Sequence, residues 1–288
     1  TVAVDDANSD NDFDAVADQT VSVDTTDDDV AGFTIVELDG STEVDESGTT
    51  DTFTVVLDAE PATDVVLTVT SDDTSEATVN SPLTFTPANW DTPQTVTVTG
   101  ADDDLVDGTI TSTVTVAVDD VNSSDGFDSL IDQIVSVDTT DDDVAGFTIE
   151  ETDGSTEVDE AGNTDTFTVV LDAQPTSDVV MSIASNDTSE ATTTNTLTFT
   201  PSNWDTAQTV TVTGIDDNII DGTVTSSVVI SIIDANSDDD FDAVADQTVS
   251  VDTTDDDTAG FTIEETDAAT EVDESGTTDT FTVVLDAQ

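Results

Sequence analysis

The chain has 288 residues, 69 of them Asp or Glu, and no Lys, Arg or His, so its formal charge is -69 and no side-chain salt bridge can form. Such a surface repels nucleic acid and anionic membranes, and any counter-charge must come from solvent ions. No stretch approaches the ~20 apolar residues of a membrane span. The absence of cysteine excludes disulfides, thiolate metal sites and a Cys nucleophile.

In chain order, the first marker is "DTTDDDVAGF" at 24–33, which returns at 138–147 and again at 252–261 with Thr258 in place of Val. The spacing is 114 residues, and residues 31–144 align with 145–258 without a gap. The expected organisation is therefore the C-terminal part of a repeat at 1–30, complete repeats at 31–144 and 145–258, and the N-terminal part of a further repeat at 259–288. We read the chain as an excerpt from a longer array.

Within a repeat, the runs Gly32 to Ile35, "DTFTVVLDA", "DVVLTVT", Leu83 to Phe85, "QTVTVTG", Thr113 to Val118 and Ile134 to Val137 follow one another. Phe53, Val55 and Leu57 share one face, as do Val65, Leu67 and Val69, and Val96 and Val98 alternate with Thr. A period of two is a strand signature, and about seven such strands in roughly 100 residues suit a two-sheet sandwich. The expected fold is all-β: tandem immunoglobulin-like antiparallel β-sandwiches stacked end to end. Outward positions are mostly Thr, which favours strands and tolerates water. "FDSLIDQI" has helical spacing and predicts a short helical turn. Gly40 and Gly154 occupy a turn whose third copy has Ala268, so a strict requirement for positive φ is not expected there. Trp90 and Trp204 read as core or corner aromatics. "TDDDVAGFTI" passes from one repeat into the next without a Gly, Ser or Pro-rich spacer, so neighbouring sandwiches should have little freedom.

Strands that run pole to pole place the acids at strand ends. In the first repeat these are Glu46, Asp72, Asp73, Asp102, Asp103, Asp104, Asp107, Asp141, Asp142 and Asp143; in the second, Glu160, Asp187, Asp216, Asp217, Asp221, Asp255, Asp256 and Asp257. The partial repeats contribute Asp27, Asp28 and Asp29 at one end and Glu274 at the other. Asn186 and Asn218 replace two acids, and an amide oxygen can still ligate. Hard oxygen donors in this number, on loops and without imidazole or thiolate, suit Ca2+, several ions per repeat; Mg2+ takes fewer protein ligands.

The segments "DDDVAGFTI", "VDESG" and "LTFTP...QTVTVTGADDDLVDG" followed by "TVTVAV" resemble the Calx-beta motif, a calcium-binding β-sandwich found in sodium/calcium exchangers, integrin β4 and bacterial surface proteins. The resemblance spans the whole repeat in both copies. It implies a cluster of calcium ions at one pole, with Glu46, Asp102, Asp103, Asp107 and Asp141 to Asp143 at the family's acidic positions. The family's Asp-Tyr segment is absent, and Asp72 or Asp73 takes its place only by rough position.

These readings imply an extracellular or cell-surface structural array, rigidified by calcium and serving as an adhesin stalk or fibre. Its partners would be calcium ions, neighbouring repeats and, in a filament, other copies of the chain. A carbohydrate- or surface-binding module and a calcium sensor are the alternatives on the same sandwich. Catalysis is disfavoured, because only carboxylates are available and the same acids recur in every repeat. A purely halophilic acid surface would not require its carboxylates to gather at strand ends.

Overall fold

The computed structural model describes residues 1–288 and is built from β-strands, with three short 3₁₀ turns as its only helical segments. No helix is long and apolar enough to cross a membrane. The first sandwich comprises β1 (Phe33–Glu37), β2 (Thr42–Asp45), β3 (Thr50–Leu57), β4 (Val65–Ser71), β5 (Ala77–Val79), β6 (Leu83–Phe85), β7 (Gln94–Gly100), β8 (Ile110–Val118) and β9 (Gln133–Thr140). One sheet has the order β1-β3-β7-β5 and the other β2-β9-β8-β4-β6. All pairings are antiparallel except β2 with β9, which run parallel from Thr42↔Val137 to Asp45↔Thr140.

The second sandwich repeats this order with β10 (Phe147–Glu151), β11 (Thr156–Asp159), β12 (Thr164–Leu171), β13 (Val179–Ser185), β14 (Ala191–Thr193), β15 (Thr196–Phe199), β16 (Gln208–Gly214), β17 (Val224–Ile232) and β18 (Gln247–Thr254). A two-stranded hairpin, β19 (Phe261–Glu265) with β20 (Phe281–Leu285), follows. Residues 1–30 contain no named strand, only a 3₁₀ turn at Asn11–Phe13 and one antiparallel bridge between Val2 and Gln19.

The alternation expected from sequence sets the core. Phe53, Val55 and Leu57 of β3, Val65, Leu67 and Val69 of β4, and Val96 and Val98 of β7 all point inward and meet Phe85, Val114 and Val137. Outward Thr residues occupy the intervening positions, and full burial of each large apolar side chain contributes roughly 1.5–3 kcal/mol. Trp90 and Trp204 pack against the edges of the two cores. Their carbonyls accept hydrogen bonds from Leu57 N (3.2 Å) and Leu171 N (3.3 Å).

Each sandwich has two strands beyond the seven runs legible in the sequence. β2 and β5 are short and exist through their partners β9 and β7. The helical turn expected over "FDSLIDQI" is corrected: Phe127 to Ser129 form only a turn and Ile134 belongs to β9, while in the second sandwich a 3₁₀ turn at Asp239–Phe241 precedes the matching run, with the Asp238 side chain accepting from Asp240 N. The first sandwich has Ser124 and Gly126 at those positions and makes only turns. A second expectation is corrected: the turn after β1 takes positive φ in all three copies, with Gly40 at 90°, Gly154 at 85° and Ala268 at 71°. The turn geometry prevails over the Cβ, a conformation that costs an L-residue roughly 1–2 kcal/mol.

The sandwiches stack along the chain through backbone contacts. Gln174, in the loop leaving β12, donates its N–H to the Asp104 carbonyl (2.6 Å) and accepts from Val106 N (3.0 Å). Val106 also packs against the second core. The same clamp recurs one repeat later, where Gln288 N donates to Asn218 O (2.6 Å) and Ile220 N donates to Gln288 O (3.0 Å).

Candidate metal centre

Four segments bring carboxylates to the pole of the first sandwich that faces the second. β2 delivers Glu46: the β2/β9 ladder continues one step past the strand, Glu46 N donating to Thr140 O at 3.1 Å. β5 delivers Glu76, whose carbonyl accepts from Ala101 N at 2.8 Å and so fixes the start of the Asp102 to Asp107 loop. β9 delivers Asp141 to Asp143 directly beside Glu46. A backbone contact sets the spacing between the end of β2 and the end of β7, from which the Asp102 to Asp107 loop departs: a Cβ on Gly100 would run into the Asp45 carbonyl, and Gly214 meets Asp159 in the same way.

Asp141 organises the loops. One carboxylate oxygen accepts from Asp107 N (3.0 Å) and Gly108 N (2.9 Å), the other from Asp143 N (2.7 Å). In the second sandwich Asp255 accepts from Gly222 N (3.0 Å) and Asp257 N (2.8 Å), and these backbone donors hold its carboxyl below the usual range. The triplet's middle residues, Asp142 and Asp256, are exposed.

Asp103 Oδ1 accepts from Leu105 N (2.8 Å) and Asp217 Oδ1 from Ile219 N (2.6 Å), but the buried glutamates have no such donors. Glu46 and Glu160 are each only 1% exposed, and Glu76 and Glu190 are 5% and 6% exposed. The Oε2 atoms of all four are buried without a hydrogen-bond partner, as are Asp107 Oδ1, Asp143 Oδ2 and Asp257 Oδ2. Desolvation, followed by repulsion from Asp141 and Asp103, pushes the Glu46 carboxyl up to about 7. Desolvation with Asp255 and Asp217 does the same to Glu160, also to about 7. Burial is likewise the first cause that raises Glu76, Asp107, Asp143, Glu190 and Asp257, with neighbouring carboxylates next. Buried anions facing one another without donors are costly unless a cation joins them.

Ligand oxygens of Glu46, Asp103 and Asp143 lie within 4.8 Å of one another, and so do those of Glu160, Asp255 and Asp257. Oxygens sharing Ca2+ at about 2.4 Å can stand up to about 5 Å apart, whereas Mg2+ at about 2.1 Å draws them closer. The donor set of several hard carboxylate oxygens and its orphaned atoms therefore fit a cation of calcium's kind, which takes many oxygen ligands.

The other sequence candidates fall in five groups. Asp102, Asp104 and Asp216 are exposed on the outer side of the pole, and Asp102 and Asp104 lie close enough to raise Asp143. Asp217 and Asp221 act on Glu160, although Asp221 is exposed where Asp107 is half-buried. Asp73 and Asp187 sit at the rim, each held below its ordinary value first by a Ser hydroxyl, Ser75 or Ser189. Asp72 lies apart: its side chain accepts from Thr113 N (2.6 Å) and fastens β8, a task Asn186 performs for Ser227 N (2.8 Å). Asp27, Asp28, Asp29 and Glu274 are all exposed. Asp29 N donates to Asp27 Oδ1 (3.1 Å), so the acidic loop keeps its local turn.

Glu76 and Glu190 were absent from the sequence candidates. A signal existed: "SDDTSEAT" becomes "SNDTSEAT" in the second copy, so Asp72 tolerates an amide while the Glu four residues on stays.

No protein-family model matches the chain, and no curated protein matches it. Among solved structures, the calcium binding domain CBD12 of CALX1.1 is similar at 18% identity and a TM-score of 0.29, over 69% of this chain and 80% of that one. CBD12 from CALX1.2 is similar at 19% identity and a TM-score of 0.28, over 67% and 78%. Domains 1–6 of the surface layer protein SbsC are similar at 13% identity and a TM-score of 0.33, over 90% of this chain and 37% of that one. At these identities the likeness is one of β-sandwich fold alone.

Proposed function

We propose that the chain is a calcium-rigidified array of β-sandwich repeats, 31–144 and 145–258 with partial repeats at 1–30 and 259–288, that gives mechanical reach to an extracellular or cell-surface protein. The observation that carries this reading is the convergence of buried, unpartnered carboxylate oxygens at the pole where one sandwich meets the next. Glu46, Glu76, Asp103, Asp107, Asp141 and Asp143 would hold the ions in the first sandwich, and Glu160, Glu190, Asp217, Asp221, Asp255 and Asp257 in the second. A bound cation would neutralise the repulsion between these groups and fix the β2, β5, β7 and β9 ends together. Affinities of order 10⁻⁴ to 10⁻³ M would suffice in extracellular calcium. The outward Thr rows support sheet formation and give no specific support to a ligand-binding role.

The test is thermal unfolding of the chain followed by Trp90 and Trp204 fluorescence in millimolar CaCl2, MgCl2, EDTA, and EDTA with high NaCl. The expected outcome is a large loss of melting temperature in EDTA that neither Mg2+ nor NaCl restores. Full recovery with NaCl alone would reduce the acids to a screened charge cloud and overturn the reading.

A further inference from the structure

We propose that the Asp39-Gly40 bond, in the turn between β1 and β2, is the place where the folded chain acquires a spontaneous backbone modification, the conversion of aspartate to isoaspartate.

The chemistry needs only these two residues and water. The Gly40 amide nitrogen loses its proton and attacks Cγ of the Asp39 carboxyl; a C–N bond forms, a carboxyl oxygen leaves as water, and a succinimide ring closes. Water then opens the ring at either carbonyl, restoring aspartate or routing the main chain through Cγ as isoaspartate. The water lost is regained, no redox partner is needed and the net charge is unchanged. Glycine favours the step because no Cβ shields its nitrogen.

The chain has Asp-Gly bonds at Asp39, Asp107, Asp125, Asp153 and Asp221, and the fold treats them unequally. Gly108 N donates to Asp141 Oδ2 (2.9 Å) and Gly222 N to Asp255 Oδ2 (3.0 Å). An anion that accepts an N–H holds that proton in place, so these two nitrogens are poor nucleophiles. Asp125 and Gly126 sit in a turn closed by Phe127 N donating to Ser124 O (2.8 Å), and both closing residues are buried. Gly154 N donates to Glu151 O (3.3 Å). Thr152 ties that same turn to β12, its N–H (3.3 Å) and Oγ1 (2.6 Å) both donating to Thr166 O.

The first sandwich has Leu38 where the second has Thr152, and the tie is gone. Leu38 to Ser41 are all exposed, and none of their backbone N–H groups has a partner. A segment without main-chain bonds reorganises at little cost, which is what closing the ring requires. Gly40 N is therefore both unprotected and free to approach Cγ. The added main-chain atom falls between two strands, where no backbone bond is broken and no candidate cation ligand sits. The turn would record the age of an array without dismantling its sandwiches.

The experiment ages the 288-residue chain in mildly alkaline buffer with CaCl2 and, in parallel, in urea with EDTA. The chain is then cut with a Glu-specific protease, since it has no Lys or Arg for trypsin. The isoaspartyl carboxylates of each peptide are labelled with an isoaspartyl methyltransferase and tritiated S-adenosylmethionine. In the folded chain Asp39 should carry several times the label of any other Asp-Gly site, with Asp107 and Asp221 lowest; in urea the sites should converge. Leu38→Thr, which supplies the missing tie, should cut the folded-state label at Asp39 severalfold and leave the label in urea unchanged. The proposal is overturned if Asp39 does not lead in the folded chain, if the same order appears in urea, or if Leu38→Thr leaves the folded-state label as it was.

Discussion

The second sandwich and the segment after it contain nearly the same letters and differ sharply in structure. "FTIEETDGSTEVDEAGNTDTFTVVLDAQ" at 147–174 becomes "FTIEETDAATEVDESGTTDTFTVVLDAQ" at 261–288. In the first setting Phe167 is fully buried; in the second its counterpart Phe281 is 54% exposed. The difference is traceable to partners. β12 lies between β10 and β16, whereas β20 pairs only with β19. The TEVD segment is strand β11 where β18 runs beside it, and residues 270–273, with the same letters, form no strand. Strand identity here belongs to the pairing rather than to the local sequence, and an isolated two-stranded hairpin is marginal in water. The N-terminal segment agrees: Val21 and Val23 are exposed, while Val135 and Val137 in the matching letters of β9 are buried.

The largest expected effect breaks this comparison directly. Phe167→Ala should destabilise the second sandwich by about 3–5 kcal/mol, the usual range for emptying a fully buried Phe site. Phe281→Ala, the same letter in the same motif, should change stability by less than about 0.5 kcal/mol. Denaturant unfolding in a Trp90→Phe background, followed by Trp204, measures both. Equal effects would mean that the hairpin shares a core with the second sandwich, contrary to its exposure.

Much of this architecture was legible in the sequence. The period-two runs identified β3, β4 and β7, and the repeat of DTTDDD placed an acidic triplet at a strand end. β2 and β5 were not legible, because four and three residues with no strong alternation become strands only against β9 and β7. The candidate site was legible to the same degree. The Asp triplet follows a clear strand ending and Glu46 stands out in the VDESG motif, but Glu76 reaches the pole only through β5, which has no strong alternation of its own. Asp72 looked equivalent to Asp73, yet its side chain serves a strand backbone, a difference set by contacts across the sheet.

A smaller effect sharpens the point that register, rather than composition, builds the site. Gly100→Ala places a Cβ against the Asp45 carbonyl, next to Glu46. Overpacking of this kind costs about 1–3 kcal/mol. The substitution should also lower calcium affinity, because the β2 end can relieve the collision only by carrying Glu46 away from Asp103 and Asp143. Gly40→Ala, in the turn after β1, is the control: it meets no neighbouring atom and bonds no residue of the site, though its φ of 90° adds local strain. Calcium titration of the two variants should separate them, with the Gly100 variant weaker; equal affinities would remove Gly100 from any role in positioning the site.

The smallest effect concerns pH and again sets the complete sandwiches against the end piece. Glu46 and Glu160 are buried at their poles, while Glu274, in the matching letters, is exposed. Folding raises the first two from an ordinary value of 4.5 to about 7, so the folded state holds these protons more tightly than the unfolded chain. The stabilisation from that proton uptake is fully present below about pH 4.5 and is lost as pH rises through about 7. In EDTA, the melting temperature should therefore climb by several degrees between about pH 8 and pH 5. With CaCl2 the cation occupies the place of the protons, so acidification across the same window should lower the melting temperature instead. The double variant Glu46→Gln, Glu160→Gln should be more stable than the parent in EDTA at about pH 8, show a shallower pH dependence and gain less from calcium. Glu274→Gln should leave all three readouts unchanged. A melting temperature that falls on acidification in EDTA would show that the buried glutamates are not the groups whose charge limits the metal-free fold.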